Sequence, residues 1–128
     1  MIEKKPRSRE VRSKPKPFVP KESEIQKSII QYLLMRGCKI WRQNTGGMKQ
    51  GDRFIKFGYR GISDIIGMVP GGRFCAFEVK RPGGKPTEDQ QAFIASVLAT
   101  GGIAGVVTSI EDAQKLLAHF EVARPSAG

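Results

Sequence analysis

The sequence predicts an α/β domain in which helices flank a mixed central sheet. Three stretches repeat apolar residues at helical spacing, within residues 21–37, 87–100 and 110–120. Between them lie short apolar runs of strand length, separated by turns rich in glycine and proline. The resulting order of helix, strand, two hairpin strands, helix, strand and helix is typical of layered α/β proteins.

The first helix is predicted from Lys21 to about Gly37. Apolar residues recur at helical spacing within 25–33, and Gly37 suits the position just after a helix end. Glu22 and Glu24 lie in the first turn. The helix dipole alone favours acids there, so these two carboxylates have a structural explanation beside any functional one.

A first strand is predicted from Cys38 to Asn44, with Trp41 in the core or on the sheet surface rather than acting as a platform for bases. Residues 45–61 are rich in glycine and basic side chains, with a short strand at 53–57. Such a segment suits contacts to a phosphate backbone, and a plain solvated connector is the alternative. The residues selected here for phosphate contact are Lys49, Arg53, Lys56 and Arg60.

A β-hairpin from Gly58 to Lys80 is the centre of the predicted sheet. Its two strands are apolar runs joined by a Pro-Gly-Gly turn at residues 70–72. Side chains alternate along a strand, so Glu78 and Lys80 share one face. The turn brings Asp64, where the first strand begins, to the same end of the sheet.

Two carboxylates and an ammonium therefore converge at one sheet edge. Carboxylates a few ångströms apart repel each other, and one tends to stay protonated unless a cation neutralises both. A hard divalent cation such as Mg²⁺ favours carboxylate oxygens. The sequence indicates a metal site at Asp64 and Glu78 with Lys80 beside it. A surface ion pair between Lys80 and either acid is the alternative.

The chain after the hairpin begins with a basic, turn-rich loop at 81–86. Arg81 and Lys85 in this loop are further candidates for phosphate contact. Thr87 is predicted to cap the second helix, and Gln90 completes a capping-box pattern with it. Gln90 therefore has a structural interpretation as a capping partner.

The second helix is predicted to run to about Thr100. Its buried residues are predicted to be Phe93, Ile94, Val97 and Leu98. Residues 103–107 are fully apolar, as expected of a buried parallel strand. Ser109 is predicted to cap a last helix that ends near Phe120, and His119 on its surface is assigned no role.

The order and spacing of several motifs resemble the PD-(D/E)XK nuclease superfamily, and more narrowly the stand-alone VRR-NUC (virus-type replication-repair nuclease) domain. The central motifs are G-I-S-D at 61–64, E-V-K at 78–80 and T-E-D-Q at 87–90. Further matching segments are 22–26, 41–47, 72–85 and 101–107, and together they cover most of the chain from Lys21 to about Leu117. Ser63 departs from the proline of the superfamily name, at a position that shapes the turn and does not bind metal.

The resemblance implies a restriction-endonuclease-like αβββαβ core and hydrolysis of DNA phosphodiesters that depends on Mg²⁺ or Mn²⁺. It implies that Asp64, Glu78 and the backbone carbonyl of Val79 hold the metal. Lys80 would then orient the attacking water and balance charge in the transition state.

The resemblance also implies supporting residues and a class of substrate. An acid of the first helix would support the metal site, with Glu22 preferred to Glu24. Gln90 would be an active-site amide near Lys80 or the scissile phosphate. Stand-alone members of the family are associated with branched DNA, notably Holliday junctions, and with homodimers, which implies junction cleavage by two sites on one dimer.

The charge of the chain points to a polyanionic partner, most simply nucleic acid. It has 22 Lys and Arg against 12 Asp and Glu, for a formal net charge of +10. Residues 1–20 form a basic arm predicted to be disordered, because its prolines prevent a helix and little in it is apolar. A solubilising tail is the alternative. Residues 21–122 form the nuclease-like domain and 123–128 a loose tail.

The cysteines and the hydropathy of the chain indicate a cytoplasmic protein, and the resemblance implies a bacterial or phage-infected cell. Cys38 and Cys75 are predicted to be buried thiols in a reducing compartment, and with one histidine they make no zinc site. No apolar run approaches membrane-spanning length, and no signal-peptide core follows the first residues.

Two other functions compete with a junction resolvase. A non-catalytic nucleic-acid-binding module with the same fold would not need the intact set of Asp64, Glu78 and Lys80. A nuclease acting on linear or flap DNA, in repair or restriction, would use the same site, so the sequence does not separate it from a resolvase.

Overall fold

The computed structural model describes residues 18–43, 47–50, 53–56 and 59–125, and in the two short ranges it describes the backbone. Within these ranges, residues 18–21 and 122–125 belong to no helix or strand. The predictions for the rest of the basic arm, residues 1–17, and for the end of the tail, residues 126–128, lie outside the described residues.

The helices and strands follow the order that the sequence predicts, with one additional strand at residues 47–50. The elements are α1 Glu22–Met35, β1 Lys39–Arg42, β2 Gly47–Gln50, β3 Arg53–Lys56, β4 Ile65–Met68, β5 Phe74–Val79, α2 Glu88–Ala99, β6 Ile103–Val107 and α3 Ile110–His119. Four strands form one mixed sheet in the order β1-β4-β5-β6, antiparallel except for the parallel pair β5 and β6. The α/β class with a mixed central sheet is confirmed.

The central hairpin folds as predicted. Gly71 and Gly72 both adopt positive φ, at 99° and 94°, which glycine reaches without steric cost. The Gly72 N–H donates to the carbonyl of Val69 at 2.9 Å, and the Val69 N–H donates to that of Arg73 at 3.0 Å. The Pro-Gly-Gly turn therefore fixes the register in which β4 pairs with β5.

Helices cover both faces of the sheet. Apolar residues of α1 and α3 form the larger core with one face; these are Ile25, Ile29, Leu33, Ala113 and Leu117, packed with Cys75, Phe77 and Val79 of β5. Phe93 and Val97 of α2 cover the other face. Each large buried side chain contributes about 2 kcal/mol of hydrophobic free energy, so these two layers hold β5 in place.

The helix ends follow their predicted signals. Gly37 follows α1 with φ at 83°. The side chain of Thr87 accepts the Gln90 N–H in a complete capping box at the start of α2. Ser109 accepts the N–H of Asp112 at the start of α3. His119, at the end of α3, is exposed, as predicted.

Three local predictions hold only in part, although the short strand at 53–57 is present as β3 and β6 is parallel to β5 as expected. Residues 45–61 hold a two-stranded antiparallel sheet of β2 and β3, where one short strand in a loop was expected. Strand β6 is parallel to β5 but lies at the sheet edge, so Val106 is 37% exposed. Leu98 is 41% exposed, because α2 buries only its Phe93–Val97 stripe.

The thiols and the hydropathy agree with the sequence predictions as far as the structure describes the chain. Cys38 and Cys75 are buried free cysteines. Burial raises the pKa of both thiols, that of Cys75 to about 12. Of the helices in the described ranges, none is long and apolar enough to cross a membrane.

Candidate active site at the edge of the central sheet

The register of the hairpin places the two predicted acids opposite each other. Ile65 pairs with Phe77, the last pair of the β4–β5 ladder. Continuing that antiparallel register by one residue sets Asp64 against Glu78. Lys80 lies two residues beyond Glu78 and so on the same side of the sheet. The convergence expected from the sequence is present in the structure.

Backbone groups of both neighbouring strands hold Asp64. Its Oδ2 accepts the N–H of Val79 at 2.8 Å. Its carbonyl accepts the N–H of Gln43, just after β1, at 2.7 Å. Asp64 is therefore a fixed, partly exposed acceptor at the mouth of the site.

Glu78 is the buried member of the pair. It is 1% exposed. Its Oε2 accepts the side-chain amide of Gln90 at 3.2 Å and lies 3.7 Å from the ammonium of Lys80. Its Oε1 is buried and has no hydrogen-bond partner among the described residues. A buried carboxylate oxygen without a partner is costly, so this atom has capacity for a proton or a cation.

The environment of Glu78 favours its neutral form. Burial is the largest cause and raises the pKa of Glu78 to about 8, and the neighbouring carboxylate of Asp64 and the negative charge of Glu22 raise it too. The positive charge of Lys80 lowers the pKa of Glu78. Without a cation in the site, Glu78 therefore keeps its proton at neutral pH.

The charge of Glu22 reaches Glu78, which distinguishes Glu22 from Glu24. Both acids lie in the first turn of α1. Glu24 instead lines a cavity of about 360 Å³ with Ile25 and Ile110 on the side of α1 that meets α3. Of the two predicted alternatives, Glu22 is the one whose charge acts on Glu78, and its role in the site stays a prediction.

The side-chain amide of Gln90 takes part in the capping box and also contacts the acid pair. Its Oε1 accepts the N–H of Thr87 at 2.8 Å, which completes the capping box. Its Nε2 donates to Glu78. The capping prediction is confirmed, and the same amide reaches the acid pair because the N3 position of α2 faces the end of β5.

The segment before Asp64 packs on the first turns of α2. Tyr59 meets Phe93 edge to face at a centroid distance of 5.4 Å. A Cβ on Gly61 would lie 2.2 Å from the carbonyl oxygen of Asp89, so only glycine permits this approach. Arg60 forms an exposed ion pair with Asp89 at 3.7 Å. These contacts place Asp64 close to the start of α2.

The residues predicted to contact phosphate lie in the β2–β3 pair, just before Asp64 and in the loop after β5. Arg60, Arg81 and Lys85 are exposed. Lys49 lies on β2, and Arg53 and Lys56 lie on β3. The side chains of that strand pair lie outside the described part of the chain. Their phosphate contacts stay predictions.

No cluster of three or more His, Cys, Asp or Glu side chains in the described ranges is arranged to hold a metal ion. The predicted ligand set contains only two such side chains, the carboxylates of Asp64 and Glu78, and its third ligand is the backbone carbonyl of Val79. Within the described residues, Val79 contacts the site through its N–H, which donates to the carboxylate of Asp64.

Two residues of the site were not selected from the sequence. Gln43 holds the backbone of Asp64, and its side chain accepts the indole N–H of Trp41 at 3.2 Å. Ser63 is fully buried, and its hydroxyl has no partner among the described residues. The sequence offered a signal for each residue. Gln43 lies two residues after Trp41 in the predicted strand, and Ser63 directly precedes Asp64.

Comparison with known proteins identifies no family for the chain. A scan against protein-family models gives no match, and no curated protein matches the chain. The function is therefore inferred from the residues and their geometry.

Proposed function

We propose that the protein is a metal-dependent endonuclease that hydrolyses DNA phosphodiester bonds, of the PD-(D/E)XK type and similar to VRR-NUC domains. One observation carries the proposal. Glu78 is buried with an unpartnered Oε1 opposite Asp64, while Lys80 and Gln90 both approach its Oε2. A carboxylate placed only for stability would not face another acid at the end of a sheet.

The oxygen donors at this edge fit Mg²⁺ or Mn²⁺. Asp64, Glu78 and the carbonyl of Val79 would hold the ion, and the unpartnered oxygen of Glu78 is free to bind it. The repulsion that keeps a proton on Glu78 would be relieved by a divalent charge. When bound, the metal supplies an acidified water and a polarised phosphate.

The surrounding side chains have separate tasks in this proposal. Lys80, with its side chain 17% exposed, presents an ammonium to the reacting phosphate and to the water that attacks it. Gln90 fixes the rotamer of Glu78 through its amide N–H. Glu22 adds negative charge beside Glu78, which strengthens the attraction for a cation.

The substrate proposed is DNA, and branched DNA such as a Holliday junction in particular. The net charge of +10 favours a polyanion. Exposed Arg81 follows Lys80 directly, and exposed Lys85 lies in the same loop. Selectivity for junctions, a homodimer with two active sites and a cytoplasmic location rest on the resemblance described above.

A cleavage panel tests the proposal. Labelled four-way-junction, fork, flap and linear DNAs are incubated with the protein in Mg²⁺, in Mn²⁺ and in EDTA. We expect cleavage with either metal and none in EDTA, with the junction cut fastest. Glu78→Gln should be inactive, whereas His119→Ala, remote from the acids in sequence, should cleave like wild type.

Two outcomes would count against this proposal. Preferential cutting of linear or flap DNA would retain the metal nuclease but replace the junction substrate. Absence of cleavage on every substrate with either metal, together with retained DNA binding, would favour a non-catalytic binding module.

A further inference from the structure

A polar cavity lies at the far end of α1 from the acid pair. Its volume is about 510 Å³, and Arg36, Lys115 and Arg124 supply the cations among its lining residues. Glu22 begins α1 and Arg36 follows its last residue. At 1.5 Å per residue, about 20 Å separates the two ends, so the cavity is distinct from the site described above.

Arg36 is a buried cation of this cavity without an anionic partner. It is 9% exposed. Its terminal nitrogens donate to the hydroxyl of Tyr32 and to the carbonyl of Val122, both neutral groups. Its Nε is buried and has no partner, and among the described residues no carboxylate lies within ion-pair distance of it. A guanidinium stays charged in proteins, so this burial requires compensation.

The other lining residues increase the positive charge. Lys115 and Arg124 are exposed, and Glu121 is the one acid among the residues that line the cavity. The C-terminal ends of α1 and α3 lie near Arg36 and offset about half a charge each. Three cations, one acid and two helix ends leave about one uncompensated positive charge in the cavity.

We propose that this cavity binds a phosphate group. The Tyr32 hydroxyl and the Val122 carbonyl hold the guanidinium of Arg36 in one orientation, which leaves N–H groups for an oxyanion. Lys115 and Arg124 add mobile charges at the rim. The phosphate comes from free phosphate or a nucleotide, or from a nucleic-acid backbone. The site does not depend on the proposed nuclease activity.

Phosphate titration of matched variants tests the site. Inorganic phosphate is titrated into the full chain at constant ionic strength, and binding is followed by ³¹P NMR. The variant Lys115→Gln/Arg124→Gln removes two rim charges and leaves buried Arg36 intact. Lys27→Gln/Lys39→Gln removes the same charge from exposed residues that do not line the cavity. We expect at least ~10-fold weaker phosphate binding in the first variant and no change in the second.

A DNA arm of the experiment identifies the source of the phosphate. If the site takes a nucleic-acid backbone, the cavity variant binds a labelled duplex more weakly than the control variant, and phosphate competes with the duplex. If it takes free phosphate, the two variants bind the duplex equally. Equal phosphate affinity in wild type and both variants, or no saturable binding to wild type, would overturn the proposal.

Discussion

Gln90 joins the buried carboxylate of Glu78 to the first turn of α2. Its Nε2 donates to Glu78 at 3.2 Å, and its Oε1 accepts the N–H of Thr87 at 2.8 Å. Because a backbone N–H requires an acceptor, the capping bond fixes which end of the amide faces Glu78. One side chain therefore sets both the start of a helix and the orientation of a site residue.

The two roles of Gln90 are separable by substitution. Gln90→Ala removes both bonds, and we expect urea denaturation to show a loss of about 1–2 kcal/mol together with reduced cleavage. Gln90→Glu keeps a capping acceptor but sets a carboxylate against Glu78, so it should lose cleavage with a smaller loss of stability. Gln91→Ala is the matched control, since within the described residues the side chain of Gln91 donates to the Pro86 carbonyl and to no site residue. Full activity in Gln90→Glu would contradict this division.

The raised pKa of Glu78 predicts that the metal-free protein loses stability as pH rises. The folded chain holds a proton on Glu78 up to about pH 8, whereas the unfolded chain releases it near pH 4.5. This stabilisation is complete below about pH 4.5 and is lost by about pH 8. We expect the free energy of unfolding in EDTA to fall by on the order of 3 kcal/mol between pH 5 and pH 8.

Glu78→Gln provides the control for the pH dependence, because an amide does not titrate there. Its free energy of unfolding should vary little over the same range. Asp112 does not interfere, since the bonds from Thr108 lower its pKa and its contribution is lost only at more acidic pH. The same slope in wild type and Glu78→Gln would show that Glu78 is not the titrating group.

Asp64→Asn separates charge from hydrogen bonding at the acid pair. The amide oxygen of Asn is able to accept the Val79 N–H, as Asp64 does now. The charge that faces Glu78 is removed, so the metal-free variant should be at least as stable as wild type. Millimolar Mn²⁺ should raise the Tm of wild type and leave that of the variant nearly unchanged. A variant less stable than wild type in EDTA would identify Asp64 as a structural carboxylate.

Removing residues 1–17 should weaken DNA binding without affecting the domain. These residues hold much of the excess basic charge, and the described core begins after them. Fewer phosphates would be neutralised, so the slope of log affinity against log salt should become shallower. Fluorescence anisotropy at several salt concentrations measures it. An unchanged slope would mean that the arm does not contact DNA.

The sequence predicted those parts of the fold that depend on local chemistry. The Pro-Gly-Gly turn, the Thr87–Gln90 capping box and the Ser109 cap are each set by neighbouring residues, and all three are present. The meeting of Asp64 and Glu78 follows from the turn and from strand alternation, so it too was predictable. These features require no knowledge of distant contacts.

Features that depend on tertiary position were harder to predict. An apolar run such as 103–107 has the same sequence pattern in a central strand and in an edge strand. In the structure it forms an edge strand, and Val106 is exposed. The β2–β3 pair had a signal in Gly51-Asp52, a two-residue turn composition between Gln50 and Arg53, but the basic charge of the segment suggested a loop. The choice between Glu22 and Glu24 required the helix rotation, which only packing sets.

The most direct measurement is a parallel assay of DNA binding and cleavage by Lys80→Ala. Lys80 is one of 22 Lys and Arg, so its loss should change affinity for a labelled four-way junction by no more than about twofold. Its ammonium lies 3.7 Å from Glu78, so single-turnover cleavage in Mg²⁺ should fall by at least ~100-fold. Lys27→Ala, at an exposed lysine of α1 that has no role in the proposed site, should cleave at nearly the wild-type rate. Wild-type cleavage by Lys80→Ala would contradict the proposed active site.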